Sequence, residues 1–177
     1  MKSSLQDLAN LIAHHTEGIR EDQLLWHPEG KWSVADILEH LSLTYSGTKI
    51  VFDRCLQSGR PSATAPTFRD RLAAFLVTRL GYLPSGRQAP AGTRPKGIPV
   101  EKALSDIARN ILAMDESIEA CERQFGSNVK IVNHPFLGPF TADEWRRFHC
   151  VHGKHHLRQI RHLRMLMEAK GRHSAQA

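Results

Sequence analysis

The sequence predicts an all-α protein, a four-helix bundle with a long crossover between helices two and three. Three observations lead there. Apolar residues recur at helical spacing along four long stretches, glycine- and proline-bearing segments separate those stretches, and no run of alternating β-branched residues marks a strand. The 177 residues suit one domain, expected over 1–168, followed by a disordered tail at 169–177 that has nothing to order it.

Leu5, Leu8, Ile12, His15 and Ile19 step by three and four and define the first amphipathic helix. Pro28 and Gly30 break the pattern. Ser33 followed by Asp36 has the spacing of a capping box, because a hydroxyl can accept an orphan backbone N–H and an acid suits the first turn. From there Val34, Ile37, Leu41, Thr44, Thr48, Val51 and Cys55 form one stripe, with Leu38, Tyr45, Phe52 and Leu56 beside it, so the second helix is expected over 34–57. Thr67 and Asp70 start a short helix that Gly81 ends. Residues 81–99 carry eight glycines and prolines and are expected to form a long surface crossover, with a mobile lid as the alternative. Val100, Leu104, Ile107, Ile111, Met114, Ile118, Cys121 and Phe125 alternate four and three without a miss, as in the seam of a bundle. "GSNVKIVNHPFLGPF" connects that helix to the last, which Thr141 and Glu144 cap and Trp145, Phe148, Leu163 and Leu166 orient.

Bulk properties exclude several classes. A chain 41% hydrophobic and 24% charged belongs neither to the disordered nor to the membrane class, and no apolar run approaches the length of a span. Polar residues interrupt the first 19 positions, which argues against a secretory signal, so a cytoplasmic protein is expected. Cys55, Cys121 and Cys150 are odd in number and far apart, as reduced thiols are. The net charge of +6 permits anionic partners without requiring them. A basic stripe on the last helix (Arg147, Lys154, Arg158, Arg161, with Arg146 and Arg164 near it) comes without stacking aromatics or a groove-reading motif. It reads as a solvated face, and nucleic acid is not expected as a partner.

Histidine is the unusual residue, with eleven in the chain. The inward stripe of the last helix runs Trp145, His149, His152, His156, Gln159, Leu163, Leu166, apolar at both ends and polar in the middle. His149 alone reads as a satisfied core imidazole. His152 and His156 stand four apart on one helix face, which is how helical metalloproteins present two imidazoles to one ion. A third ligand must come from a facing helix, where His40 in "DILEHLSLTY" competes with His14 and His15.

"KWSVADILEHL" together with "VHGKHHLRQI" resembles the DinB-like superfamily of metal-binding four-helix bundles. There a Trp-Ser helix start precedes one ligand histidine, and an H-x-x-H-H-x-x-Q segment on the last helix supplies two more. "NHPFLGPFTADEW" is similar to a subgroup of unassigned function. The resemblance implies His40, His152 and His156 as metal ligands, with His155 pointing elsewhere and Gln159 matching the glutamine of that segment. Leu157 departs from the pattern, which has arginine there. Some members of the superfamily transfer a low-molecular-weight thiol onto electrophilic small molecules, and others are presumed metal-dependent hydrolases. The resemblance thus implies a small-molecule substrate, a divalent transition metal (zinc or nickel, then iron) and either a thiol S-transferase or a hydrolase. A non-catalytic metal-binding or stress-associated protein is the alternative. No membrane partner is expected, and a homodimer is allowed.

Three imidazoles would leave the ion an open coordination position, as catalytic sites do. Around them Gln159 is a candidate to hydrogen-bond a ligand histidine, His134 to form a lip of the pocket or a loop contact, and Trp32 to anchor the core or shape the pocket. Asp36 and Glu39 read as a solvated helix edge, and Cys150 is given no ligand role.

Overall fold

The computed structural model describes residues 4–83 and 88–174, the last four as backbone only. It is mostly helical. Four long helices, α1 (Ser4–Thr16), α3 (Val34–Ser58), α5 (Val100–Phe125) and α6 (Ala142–Ser174), are joined by two short ones, α2 (Glu21–Leu25) and α4 (Phe68–Thr78). Pro84 and Gly86 of the crossover lie outside the described residues; the rest of it carries a 3₁₀ turn at Ala91–Thr93.

The local starts follow from side-chain chemistry. Ser33 accepts from the Asp36 backbone N–H, and Asp36 accepts from both the N–H and the hydroxyl of Ser33. Thr67 with Asp70, and Thr141 with Glu144, repeat the reciprocal arrangement at α4 and α6. Gly59 ends α3 at φ +69°, a left-handed value that costs glycine nothing.

Packing explains the order of the helices. α3 lies chiefly against α5, while α1 contacts both α5 and α6. Leu38, Leu41, Tyr45 and Phe52 of α3 and Ile111, Met114 and Ile118 of α5 are completely buried in one core with Leu5, Leu8 and Ile12 of α1. Each such side chain contributes about 1.5–3 kcal/mol on leaving water. Polar ties fix the register: the Asn110 amide donates to the Ser42 hydroxyl at 2.7 Å, and Ser117 donates to Asp53 at 2.7 Å.

One expectation is corrected. Residues 132–134 and 138–140 form a two-stranded antiparallel hairpin, β1 (Val132–His134) and β2 (Gly138–Phe140), with Asn133 opposite Pro139. The Trp145 indole donates to the Val132 carbonyl and so fastens the hairpin to α6. α2 adds a short helix that ends before the break at Pro28 and Gly30. α6 runs through Ser174 and so enters the stretch expected as a tail, whose residues 175–177 lie outside the described residues. Arg164 pairs with Glu168, and Lys170 lies over the Trp26 ring, which extend the packed region beyond Leu166. No helix of the described residues is long and apolar enough to cross a membrane.

Candidate metal centre

α3 and α6 bring three imidazoles to one point. His40, His152 and His156 each offer a ring nitrogen, and the three nitrogens lie within 4.8 Å of one another, the one such group among the described residues. The His152 Nε2 is 3.4 Å from the His40 Nε2 and 3.1 Å from the His156 Nε2. A four-coordinate ion with metal–nitrogen bonds of about 2.0–2.1 Å separates its ligand nitrogens by about 3.3 Å. The two spacings from His152 match that requirement.

The tautomers are set from outside the cluster. The Nδ1–H of His40 donates to the Thr93 carbonyl at 2.7 Å, and the Nδ1–H of His156 donates to Gln159 Oε1 at 2.7 Å. A neutral imidazole carries one proton, so both Nε2 atoms present lone pairs to the centre. His152 can offer a proton to one of them and leaves the other without a donor. Its own Nδ1 is buried with no partner among the described residues. A cation at the centre satisfies all three lone pairs at once. The donor set therefore fits a metal ion, and the three histidines could hold one.

Electrostatics favour the same state. Burial depresses His40, although its bond to Thr93 works the other way. Burial and then the neighbouring His156 and His40 rings hold His152 well below the usual imidazole range. His156 is pushed down to about 3 by burial and by His40, against the raising effect of Gln159. All three are neutral at physiological pH and available as ligands.

Thr93 is delivered by a feature that the sequence reading misassigned. Glu39 does not lie on a solvated edge: it is 2% exposed and accepts the backbone N–H groups of Lys96, Gly97 and Ile98 at 2.9, 2.9 and 3.2 Å. Gly97 sits at φ +78°, the left-handed conformation that helps turn three successive N–H groups onto one carboxylate. The described part of the crossover is thereby clasped to α3 next to His40. Asp36 serves the cap of α3.

Aromatic rings flank the cluster. Trp32 lies 5.0 Å from His40 and stacks at 6.3 Å on His156, and Phe148 stacks on His152 at 5.5 Å with 8° between planes. All three histidines line a cleft of about 1980 Å3 whose walls are largely apolar, with Ile37, Val51, Val77 and Leu163 among them. Gln159 lines it too and also donates to His155 at 3.3 Å; His155 lines the same cleft outside the three-histidine group.

The remaining candidates sit outside the ligand set. His134 is on β1, packed against Phe140, Trp145 and Phe148, with its Nδ1 accepting the Phe136 N–H; burial lowers its pKa to about 4. It lines the cleft, so both of its expected roles coexist. His149 is not a satisfied core histidine: it is fully buried, and neither ring nitrogen has a partner among the described residues. Its ring stacks on Trp145 and meets Tyr45 edge-on, and the Tyr45 hydroxyl is likewise buried and unpartnered. His14 and His15 are at the far end of α1 beside Arg161 and Arg164, away from the cluster. The Cys150 thiol faces Ser4 of α1. The basic stripe is partly neutralised, since Arg146 pairs with Asp115 and Glu122 and Arg147 with Asp143.

A mostly helical protein with a convergent three-histidine cluster at a deep cleft defines the class: a candidate mononuclear metal-binding protein. The chain belongs to DUF1569, a family of proteins of unknown function, whose model matches residues 5–163 and so spans every residue of the cluster. No curated protein and no solved structure matches it.

Proposed function

We propose that the chain is a DinB-like four-helix bundle, built from α1, α3, α5 and α6, in which His40, His152 and His156 hold one zinc or nickel ion, with iron as the next choice. In this reading it is a cytoplasmic, metal-dependent transferase of a low-molecular-weight thiol onto electrophilic small molecules. The observation that carries the reading is the convergence of three Nε2 atoms, two of them fixed as lone-pair donors by Thr93 and Gln159. A bound ion with a free coordination position supplies Lewis acidity and lowers the pKa of a thiol or water that reaches it.

The chain's own residues do the rest. Thr93 and Gln159 orient two rings, and burial keeps all three imidazoles unprotonated. Trp32 and Phe148 cover ring faces that water would otherwise reach. Transfer is preferred to hydrolysis here because the cleft, about 1980 Å3 and partly open to solvent, exceeds the pocket of about 300–1,000 Å3 that one drug-sized ligand occupies. In the transfer the thiol sulfur loses its proton and forms a bond to the electrophilic carbon. The leaving group departs with the bonding electron pair and takes up a proton, so a thioether and the protonated leaving group result.

Metal analysis of protein purified without chelator, beside His152→Ala and His156→Ala, tests the site. A stoichiometric ion retained by the wild type and lost from both variants is expected; equal metal in all three overturns the assignment. Transfer of glutathione, bacillithiol or mycothiol to 1-chloro-2,4-dinitrobenzene, with and without chelator, tests the activity. Chelator-sensitive turnover is expected with at least one thiol. Its absence with all three, in protein that binds metal, refutes transfer and leaves the non-catalytic reading.

A further inference from the structure

The cleft carries the histidine cluster, with His40 and His156 only 5% and 7% exposed, and its lining joins buried aliphatic and aromatic side chains to exposed ones at Tyr82, Phe136 and Leu166. Its exposed lining is rich in cations: Lys31, Arg69, Arg94 and Arg158. None of the four belongs to an ion pair among the described residues.

Two carboxylates also line the cleft, Asp36 and Asp70, and both are already engaged. Asp36 accepts the N–H and hydroxyl of Ser33 at 2.9 and 2.8 Å, and Asp70 accepts those of Thr67 at 2.9 and 2.7 Å. Each sits at the positive end of a helix that its charge complements. The Arg94 guanidinium is aimed by neutral groups, donating to the Ala89 carbonyl and to Gln88 Oε1, so its full charge remains available. Cations therefore outnumber acids four to two on the lining, which leaves it net positive.

We infer that the cleft binds an anionic amphiphile, a small molecule whose apolar body lies along the Ile37, Val77, Phe148 and Leu163 walls while its anionic group is drawn by the net positive charge that Lys31, Arg69, Arg94 and Arg158 give the exposed lining. The inference rests on the metal reading only for what that molecule meets at the histidine cluster. A neutral apolar ligand would leave these charges unused, and a cationic one would be repelled by them. The walls supply affinity through area removed from water, and the net charge selects the sign of the headgroup.

Calorimetric titration with decane-1-sulfonate and with decyltrimethylammonium, both below their micelle concentrations, tests this. The sulfonate is a weak metal ligand, and the titration is run on metal-loaded protein and again in chelator. The sulfonate is expected to bind in both, weakening as salt rises, while the ammonium of equal chain length binds at least about tenfold more weakly. Lys31→Gln/Arg69→Gln, a double change at two exposed positions, is expected to weaken the sulfonate about fivefold and to leave the ammonium no weaker. Equal binding of the two headgroups, binding of neither, or a double variant with unchanged selectivity overturns the inference. Charge-selective binding by a protein that takes up no metal would sink the metal reading and leave this one standing; stoichiometric metal without charge selectivity would do the reverse.

Discussion

Glu39 and His40, neighbours on α3, grip the same crossover segment from two sides: the carboxylate collects three backbone N–H groups at 96–98 while the imidazole donates to the Thr93 carbonyl. Loop and ligand are thereby one mechanical unit. Glu39→Ala leaves three donors with no acceptor, and the expected loss is about 3 kcal/mol of stability, with metal affinity falling tenfold or more. Denaturant titration with and without metal reads both quantities. A variant that loses stability while its metal affinity stays at the wild-type value would uncouple the clasp from His40.

Gln159 makes the corresponding contact on α6, where its carbonyl oxygen accepts the Nδ1–H of His156 at 2.7 Å. Gln159→Leu keeps the helix and removes the acceptor. Because Gln159 is exposed, stability should change by less than about 0.5 kcal/mol while metal binding weakens about 10–100-fold. Competition against a chromophoric chelator measures the affinity, and an unchanged value would show that His156 needs no orienting partner.

The parts of the site legible in the sequence are those written in local spacing. His152 and His156 share a helix face because they stand four apart, and the caps at Ser33, Thr67 and Thr141 are announced by an acid three residues on. Glu39 was not legible, since its partners are backbone groups 57–59 residues away and carry no side-chain signature. The hairpin escaped because each strand is three residues long, too short for alternation to register, and one includes Pro139. His149 was misread for a related reason: the stripe shows that it points inward, but only the packed structure shows that neither ring nitrogen has a partner among the described residues.

Gly153, between the two cluster histidines of α6, packs closely against Leu8 and Tyr45. A Cβ there would lie 2.9 Å from the Tyr45 hydroxyl and 3.0 Å from Leu8 Cδ1, and would also collide with Leu8 Cδ2. Gly153→Ala is expected to destabilise the protein by about 1–3 kcal/mol despite alanine's better helix propensity. Tyr45→Phe removes an unpartnered buried hydroxyl, so alone it should be neutral or stabilising, and in combination it should recover part of the Gly153→Ala loss. Thermal melts of the two single variants and the double variant form the cycle. A fully additive double variant would mean that the hydroxyl is not what the new methyl meets.

Acid should weaken the metal-free protein through its buried imidazoles. Burial lowers His149 from 6.5 to about 3 and His134 from 6.5 to about 4, so both remain neutral in the folded chain at pH 5. The unfolded chain protonates them first as pH falls. Their contribution is therefore fully present above about pH 6.5 and is lost toward the folded values, at about 1.4 kcal/mol per pH unit for each histidine. His149→Phe places a ring among Tyr45, Trp145 and Phe148 that takes up no proton. Urea titrations in chelator at pH 7 and pH 5 should show the difference between the two pH values shrinking by roughly 2 kcal/mol in the variant. If wild type and variant lose the same stability over that interval, the imidazole is not buried in its neutral form, and the orphaned nitrogens of His149 must find partners in solution.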